Sequence, residues 1–281
     1  MHLPKWFKMK MSGIRPTQNI LRRYALHSVC EEARCPNKSH CFSIPTATFL
    51  ILGDTCTRSC AFCSVKSGIP REVNTHEPAR IVEAARLMGL KYIVITSVTR
   101  DDLYDGGASH FADVIKAIKN NLVNVKVEVL TPDFSGNIEA LKIVLSAQPD
   151  VFGHNIETVK RLYPVVRPQA DYNLSLSILK NSSDTFSSVK VKSGFMLGLG
   201  ETYDEIVELL DHIRETGCSF VTIGQYLKPA KRNIPVVEYI KPEEFERLQE
   251  MALSMGFDYV ASGPLVRSSM NAHEAFNLAD K

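Results

Sequence analysis

The chain has 281 residues, 44% hydrophobic and 23% charged, with 33 basic side chains against 31 acidic ones. This is the composition of an ordinary globular protein and excludes a fibre or a disordered polyelectrolyte, while a net charge of +2 gives no bulk attraction for nucleic acid. Apolar runs such as Phe49-Leu50-Ile51-Leu52 fall far short of the roughly 20 residues that cross a bilayer, and the basic N-terminus lacks the apolar stretch of a secretory signal. A soluble protein is expected, cytoplasmic or, if a targeting peptide has been trimmed, organellar.

Six of the seven cysteines (Cys30, Cys35, Cys41, Cys56, Cys60 and Cys63) fall within one short stretch near the start. In a chain of this size without a secretory signal, clustered thiols point to metal or iron–sulfur ligation rather than disulfides. After them, β-branched runs alternate with helical patterns. The runs 48–52, 92–96, 125–130, 150–154, 191–197 and 220–224 read as buried strands. The segments 78–88, 111–118, 138–145, 172–179 and 203–213 each place apolar residues on one helical face. Pro78 marks a helix start, and Gly89 and Gly217 stand just past helix ends. Strands separated by helices predict right-handed βαβ units and a parallel sheet. Six units predict a partial (β/α)6 barrel over residues 46–260, with extensions at 1–45 and 261–281. In such barrels the chemistry lies at the C-terminal ends of the strands.

The motif Cys56-Thr57-Arg58-Ser59-Cys60-Ala61-Phe62-Cys63 directly follows the first strand. A structural zinc site generally takes four ligands, and this loop has three. Three thiolates suit a four-iron cluster with one iron left open. CxxxCxxC after the first strand of an α/β barrel resembles the radical S-adenosylmethionine (SAM) superfamily. The resemblance implies that the open iron binds SAM, that a reduced cluster cleaves it, and that the resulting 5′-deoxyadenosyl radical abstracts hydrogen from an unactivated carbon. The cofactors carry that chemistry; the protein positions them and excludes water.

A second loop, Cys30…Cys35…Cys41, lies upstream with spacings of four and five residues. The two loops together, with EEARCPN, LKYIVITSVTRDDLYDGGASHF, PDVFGHNIETV, RLYPVVRPQADY, KSGFMLGLGET, TIGQYL and SGPLVRSS, resemble the lipoyl synthase family over nearly the whole chain. That resemblance implies an auxiliary 4Fe–4S cluster on Cys30, Cys35 and Cys41, and a SAM-binding 4Fe–4S cluster on Cys56, Cys60 and Cys63. The family's fourth auxiliary ligand is a serine in an RSSYxA pattern, which maps to Ser269 in Arg267-Ser268-Ser269-Met270-Asn271-Ala272; Met270 stands where the family has tyrosine. Glycine-bearing loops are turns on the plainest reading. The resemblance implies SAM contacts from Asp105, Gly106 and Gly107 after the second strand, from Asn155 and Glu157 after the fourth, and from Gly198 after the fifth. No catalytic residue is expected beyond the cluster ligands. Cys218 reads as a core residue, His154 as structural, and His40 is left unassigned.

The implied reaction is insertion of two sulfur atoms at carbons 6 and 8 of an octanoyl chain on a carrier-domain lysine. Its implied partners are an octanoylated lipoyl domain or glycine cleavage H protein, a low-potential ferredoxin- or flavodoxin-type donor, and an iron–sulfur carrier for cluster rebuilding. Neither a membrane nor a nucleic acid is expected as a partner. The alternatives are another sulfur-inserting radical SAM enzyme and, outside the enzymes, a zinc-stabilised nucleic-acid-binding protein. Residues 1–23 contain Lys5, Lys8, Lys10, Arg15, Arg22 and Arg23 and no acidic residue, which suits docking of an acidic carrier domain as well as a solubilising tail.

Overall fold

The structure is a computed structural model that describes residues 4, 6–7, 16–42, 48–186 and 189–270. It is a partial parallel α/β barrel in which helices follow the strands, and the chain divides into two compact units. One unit comprises residues 9–59 and 64–152; the other comprises 1–8, 60–63 and 153–281.

The first unit is organised by the strand Thr48–Ile51, buried at all four positions. It pairs in parallel with Tyr92–Ser97, placing Thr48 opposite Val94, and that strand pairs in parallel with Lys126–Leu130. Burial on both faces explains why these strands read as continuous apolar runs rather than alternating ones. Helix Glu77–Met88 buries Ile81, Ala84, Ala85 and Met88, and helix Ala108–Asn121 buries Phe111, Val114, Ile115 and Ile118. Those are the apolar faces expected from the sequence. Helix Ile138–Ser146 starts where the Asn137 side chain accepts a hydrogen bond from the N–H of Ala140. Two short pairings have no signal in the sequence pattern. His27–Ser28 runs antiparallel to Thr48–Ile51, and Thr55–Cys56 runs parallel to Lys66–Ser67.

In the second unit, Lys190–Leu197, Phe220–Gln225 and Tyr259–Gly263 form parallel neighbours in that order. The last is a strand beyond the six expected. Its sequence, Tyr-Val-Ala-Ser-Gly, holds only one β-branched residue, so propensity alone does not reveal it. Helix Tyr203–Glu215 begins with a complete capping box from Thr202 and Glu205. Helix Pro242–Ser254, also unanticipated, buries Phe245, Leu248 and Ala252 against a core that includes Leu209, Leu210, Ile213, Val221 and Ile223. No described helix is long and apolar enough to cross a membrane.

The turn after Lys190–Leu197 shows what its glycines do. Gly198 has φ +96°, and a Cβ there would collide with Gln225 Nε2 and the backbone oxygen of Glu238. Gly200 has φ +101° but meets only the Val237 side chain, at 3.6 Å. Gly198→Ala is therefore expected to destabilise the cofactor-free chain by about 2–3 kcal/mol, combining backbone strain with overpacking, and Gly200→Ala by about 1 kcal/mol from strain alone. Urea unfolding of the two variants checks the order.

Candidate functional site

In the first unit, the upstream cysteines sit on two single helical turns, Val29–Glu32 and Lys38–Cys41. Ser28 Oγ accepts from the N–H of Cys30 at 3.2 Å and starts the first turn. The chain then folds back through Cys35 N–H to Cys30 O (3.1 Å), Lys38 N–H to Cys35 O (3.2 Å) and Cys41 N–H to Asn37 O (2.9 Å). Each cysteine is thus held by the local backbone ladder. Cys30 is buried and the other two are partly so. Burial pushes the Cys30 thiol up to about 12, with the nearby Cys35 and Cys41 adding to the shift, and the Cys41 thiol rises through burial and Cys35. Three thiolates held this close together would repel one another, and burial adds to the cost at Cys30. Positively charged iron removes that penalty, so the donor set fits a cluster.

Cys56 ends the Thr55–Cys56 strand, and its Sγ accepts backbone N–H groups from Arg58 (3.4 Å) and Thr99 (3.3 Å). Two residues ahead of Gly107, the N-cap of helix Ala108–Asn121, the Asp105 carboxylate braces the helix start by accepting from Gly107 N–H (2.9 Å) and Ser109 N–H (2.7 Å). Burial opposes ionisation of Asp105, but those bonds outweigh it and hold its carboxyl below the usual range. Gly106 and Gly107 both have positive φ, and Gly107 packs directly on Leu52. The Asp-Gly-Gly run therefore has a complete structural duty as a helix start.

In the second unit, the other two cysteines of the motif are braced from behind. Cys63 N–H donates to Cys60 O at 3.1 Å, and Ala61 N–H donates to Val166 O at 2.9 Å. Asn233 Nδ2 donates to both Ala61 O (3.0 Å) and Cys63 O (2.7 Å). Phe62 packs against the buried cluster of Val166, Leu199 and Tyr226. Asn155 Nδ2 donates to Glu157 Oε1 (3.1 Å) and to Ser268 Oγ (2.9 Å). Glu157 has φ +72° and is stitched to Lys190–Leu197 through its N–H to Gly194 O and its carbonyl to Met196 N–H. Burial pushes its carboxyl up against the opposing influence of Arg167 and Asn155. Arg167 Nη1 donates to the carbonyls of Asn155 (3.0 Å) and Ile156 (3.3 Å), fixing this turn. The structure thus brings Asn155, Glu157 and Ser268 together. Ser269 has no hydrogen-bond partner among the described residues.

All seven cysteines are free thiols, and among the described residues no three Cys, His, Asp or Glu side chains already converge as a cage for a single metal ion. Cys218 is fully buried, has the carbonyls of Val191 and Phe220 within reach of its thiol proton, and has its thiol pushed up to about 12 by burial. It is a core residue. His154 is also buried, its N–H donating to Lys192 O and its carbonyl accepting from Ser193 Oγ. Sequence reasoning gave no role to Arg58, Asp101, Asp133, Arg167 or Asn233. The contacts of Arg58 with Asp101 and Asp133, and of Asn233 with Ala61 and Cys63, span long stretches of chain and carry no local pattern.

Residues 50–213 match the model of the radical SAM superfamily. The chain is 53% identical over 278 residues to a lipoyl synthase of Caldicellulosiruptor saccharolyticus, covering 98% of each, and 50% identical over 267 residues to one of Aquifex aeolicus, covering 95% of this chain and 97% of that one. The chain belongs to the lipoyl synthase family. It is also 52% identical to a lipoyl synthase of Pyrobaculum calidifontis, over 98% of this chain and 97% of that one. Among solved structures, methylornithine synthase (PylB) matches with a TM-score of 0.57 over 92% of this chain and 85% of that one at 13% identity. Streptococcus suis SuiB bound to its precursor peptide matches with 0.60 over 89% and 52%, also at 13%. Those two likenesses carry the fold. Membership of the lipoyl synthase family carries radical SAM chemistry with iron–sulfur clusters and SAM as cofactors, and displaces the zinc-stabilised nucleic-acid-binding alternative.

Asp105→Ala is expected to destabilise the cofactor-free chain by about 1 kcal/mol through loss of the two N–H bonds its carboxylate accepts at the helix start. Equilibrium unfolding in urea measures it.

Proposed function

We propose that this chain inserts sulfur at carbons 6 and 8 of an octanoyl group amide-linked to a carrier-domain lysine, consuming two SAM molecules. The observation that carries the reading is the pair of three-cysteine loops flanking one strand, in a chain matching lipoyl synthases along nearly its full length. When bound, a reduced four-iron cluster with an open iron supplies the electron that cleaves SAM, and a second cluster supplies sulfur.

The residues divide that work. Cys56, Cys60 and Cys63 hold the SAM-binding cluster, their three thiolates leaving one iron for the cosubstrate. Cys30, Cys35, Cys41 and Ser269 hold the auxiliary cluster. Engagement of Ser268 by Asn155 supports Ser269 as the serine left for iron. A hydroxyl oxygen is a poorer partner for iron than a thiolate, so Ser269 is where the auxiliary site opens most readily. The Met270 side chain offers no hydroxyl at the position where the family's tyrosine stands. Asn155 and Glu157 would offer an amide and a carboxylate to ribose hydroxyls, the Asp105-Gly106-Gly107 turn would offer backbone groups to the SAM amino group while the Asp105 carboxylate stays on the helix start, and the Gly198 turn would support the adenine and methionine parts.

The carrier is an acidic lipoyl domain or H protein steered by the basic N-terminal segment. Arg22 and Arg23 lie exposed in the last turn of helix Pro16–Arg23; Lys5, Lys8, Lys10 and Arg15 lie outside the described residues. A low-potential ferredoxin or flavodoxin supplies electrons, an iron–sulfur carrier rebuilds the spent cluster, and the reaction takes place in the cytoplasm or an organelle.

Replacing Cys30, Cys35 and Cys41 together with alanine is expected to leave SAM cleavage measurable and to abolish sulfur insertion. Replacing Cys56, Cys60 and Cys63 is expected to abolish both. Product analysis by mass spectrometry checks this, and lipoyl product from the upstream triple variant contradicts the sulfur-donor assignment. Ser269→Cys is expected to retain the auxiliary cluster and slow its loss of iron.

A further inference from the structure

Arg58 stands two residues after the first cysteine of the CxxxCxxC loop, yet its guanidinium is turned away from solvent, with 8% exposure. Nε and Nη2 donate to the two oxygens of Asp101, both at 2.8 Å. Nη1 and Nη2 donate to the two oxygens of Asp133 at 2.6 and 2.8 Å. Nη2 also reaches Ser135 Oγ at 3.3 Å, and Ser135 Oγ donates to Asp101 at 3.0 Å. The two acids come from different places in the unit: Asp101 follows strand Tyr92–Ser97, and Asp133 follows strand Lys126–Leu130. One side chain of the cluster loop therefore ties together the turns after two neighbouring strands.

The backbone around Arg58 is fixed with equal care. Thr57 Oγ1 lies within hydrogen-bond distance of both Thr99 O (3.1 Å) and Asp101 Oδ2 (3.0 Å), either of which its single proton can serve, and Ser67 Oγ donates to Arg58 O at 3.0 Å. Within this frame the N–H groups of Arg58 and Thr99 both point at Cys56 Sγ. N–H donors on a cluster sulfur stabilise its negative charge, and more strongly when the cluster carries an extra electron, so they raise the reduction potential. A planar fork held by two carboxylates fixes direction as well as distance, which a lysine point charge does not. If anchoring were the only requirement, well-packed apolar residues would avoid the desolvation cost of burying Asp133, which is 1% exposed.

We propose that Arg58, clamped by Asp101 and Asp133, is a positioning residue that aims the two N–H donors at Cys56 and so sets how readily the SAM-binding cluster is reduced. This rests on the assignment of Cys56, Cys60 and Cys63 to that cluster. Arg58→Ala is a poor test, because it strands Asp133 without a partner. Arg58→Lys and Asp101→Asn keep a partner for every buried charge.

The experiment uses full-length chains carrying Cys30→Ala, Cys35→Ala and Cys41→Ala, so that a single cluster is read after anaerobic reconstitution with iron and sulfide. Both variants are expected to load iron like their parent, show a more negative midpoint potential in a redox titration followed by electron paramagnetic resonance, and cleave SAM roughly ten- to a hundredfold more slowly with KM for SAM unchanged. Unchanged potential and kcat in both loaded variants, with only a lower melting temperature, overturn the inference and leave Arg58 a scaffold residue. A parent chain that loads no four-iron cluster overturns the cluster assignment first, and this inference with it.

Discussion

The backbone ladder of Thr48–Ile51 is the constraint on which the cysteine chemistry of the first unit depends. One edge of this buried strand pairs with His27–Ser28 and the other with Tyr92–Ser97. The first pairing places Cys30 two residues beyond Ser28, which sits opposite Phe49. The strand's own continuation leads, within five residues, to Cys56. Cys30 and Cys56 are thus placed just before and just after one rigid element in the chain. Functional groups on such an element are held more precisely than groups on loops alone.

The exit from that strand is held by buried charge rather than by apolar packing alone. Leu52 and Gly53 both have positive φ, +67° and +94°, which bends the chain sharply toward the motif. Leu52 N–H donates to Glu77 at 3.0 Å, and the same carboxylate oxygen meets His110 Nε2 at 2.7 Å. Leu52 O accepts from Arg100 Nη1 at 3.2 Å, while Arg100 also pairs with Asp102. A strained backbone turn persists because its polar groups are satisfied from two directions. The Arg58 clamp continues the same design one turn later. Polar side chains convert the positions of several strand ends into the position of one loop.

The parts of this organisation that were legible in the sequence are those with a local signature. Continuous β-branched runs such as Tyr92–Ser97 announce buried parallel strands, and helical spacing announces Glu77–Met88. Strand Tyr259–Gly263 was missed because its buried pairing with Phe220–Gln225, not its composition, makes it a strand. The Arg58 contacts were missed for a different reason. They join residues 43 and 75 positions apart, and no periodicity marks a salt bridge at that range. The glycines were half legible. Their turns were evident, but at Gly107 and Gly198 the close neighbours are Leu52, Gln225 and Glu238 of the chain itself. Asp105 likewise spends its carboxylate on a helix start, a duty the sequence offered no means of separating from ligand contact.

A chain that mounts three thiols before a strand and three after it should hold two clusters, and metal content tests that directly. Anaerobically purified and reconstituted protein is expected to contain about eight iron and eight sulfide per chain, the sum of two four-iron clusters. Stoichiometric zinc without sulfide would contradict the account, and a limit of four iron that persists on full reconstitution would contradict its division of the cysteines into two sites.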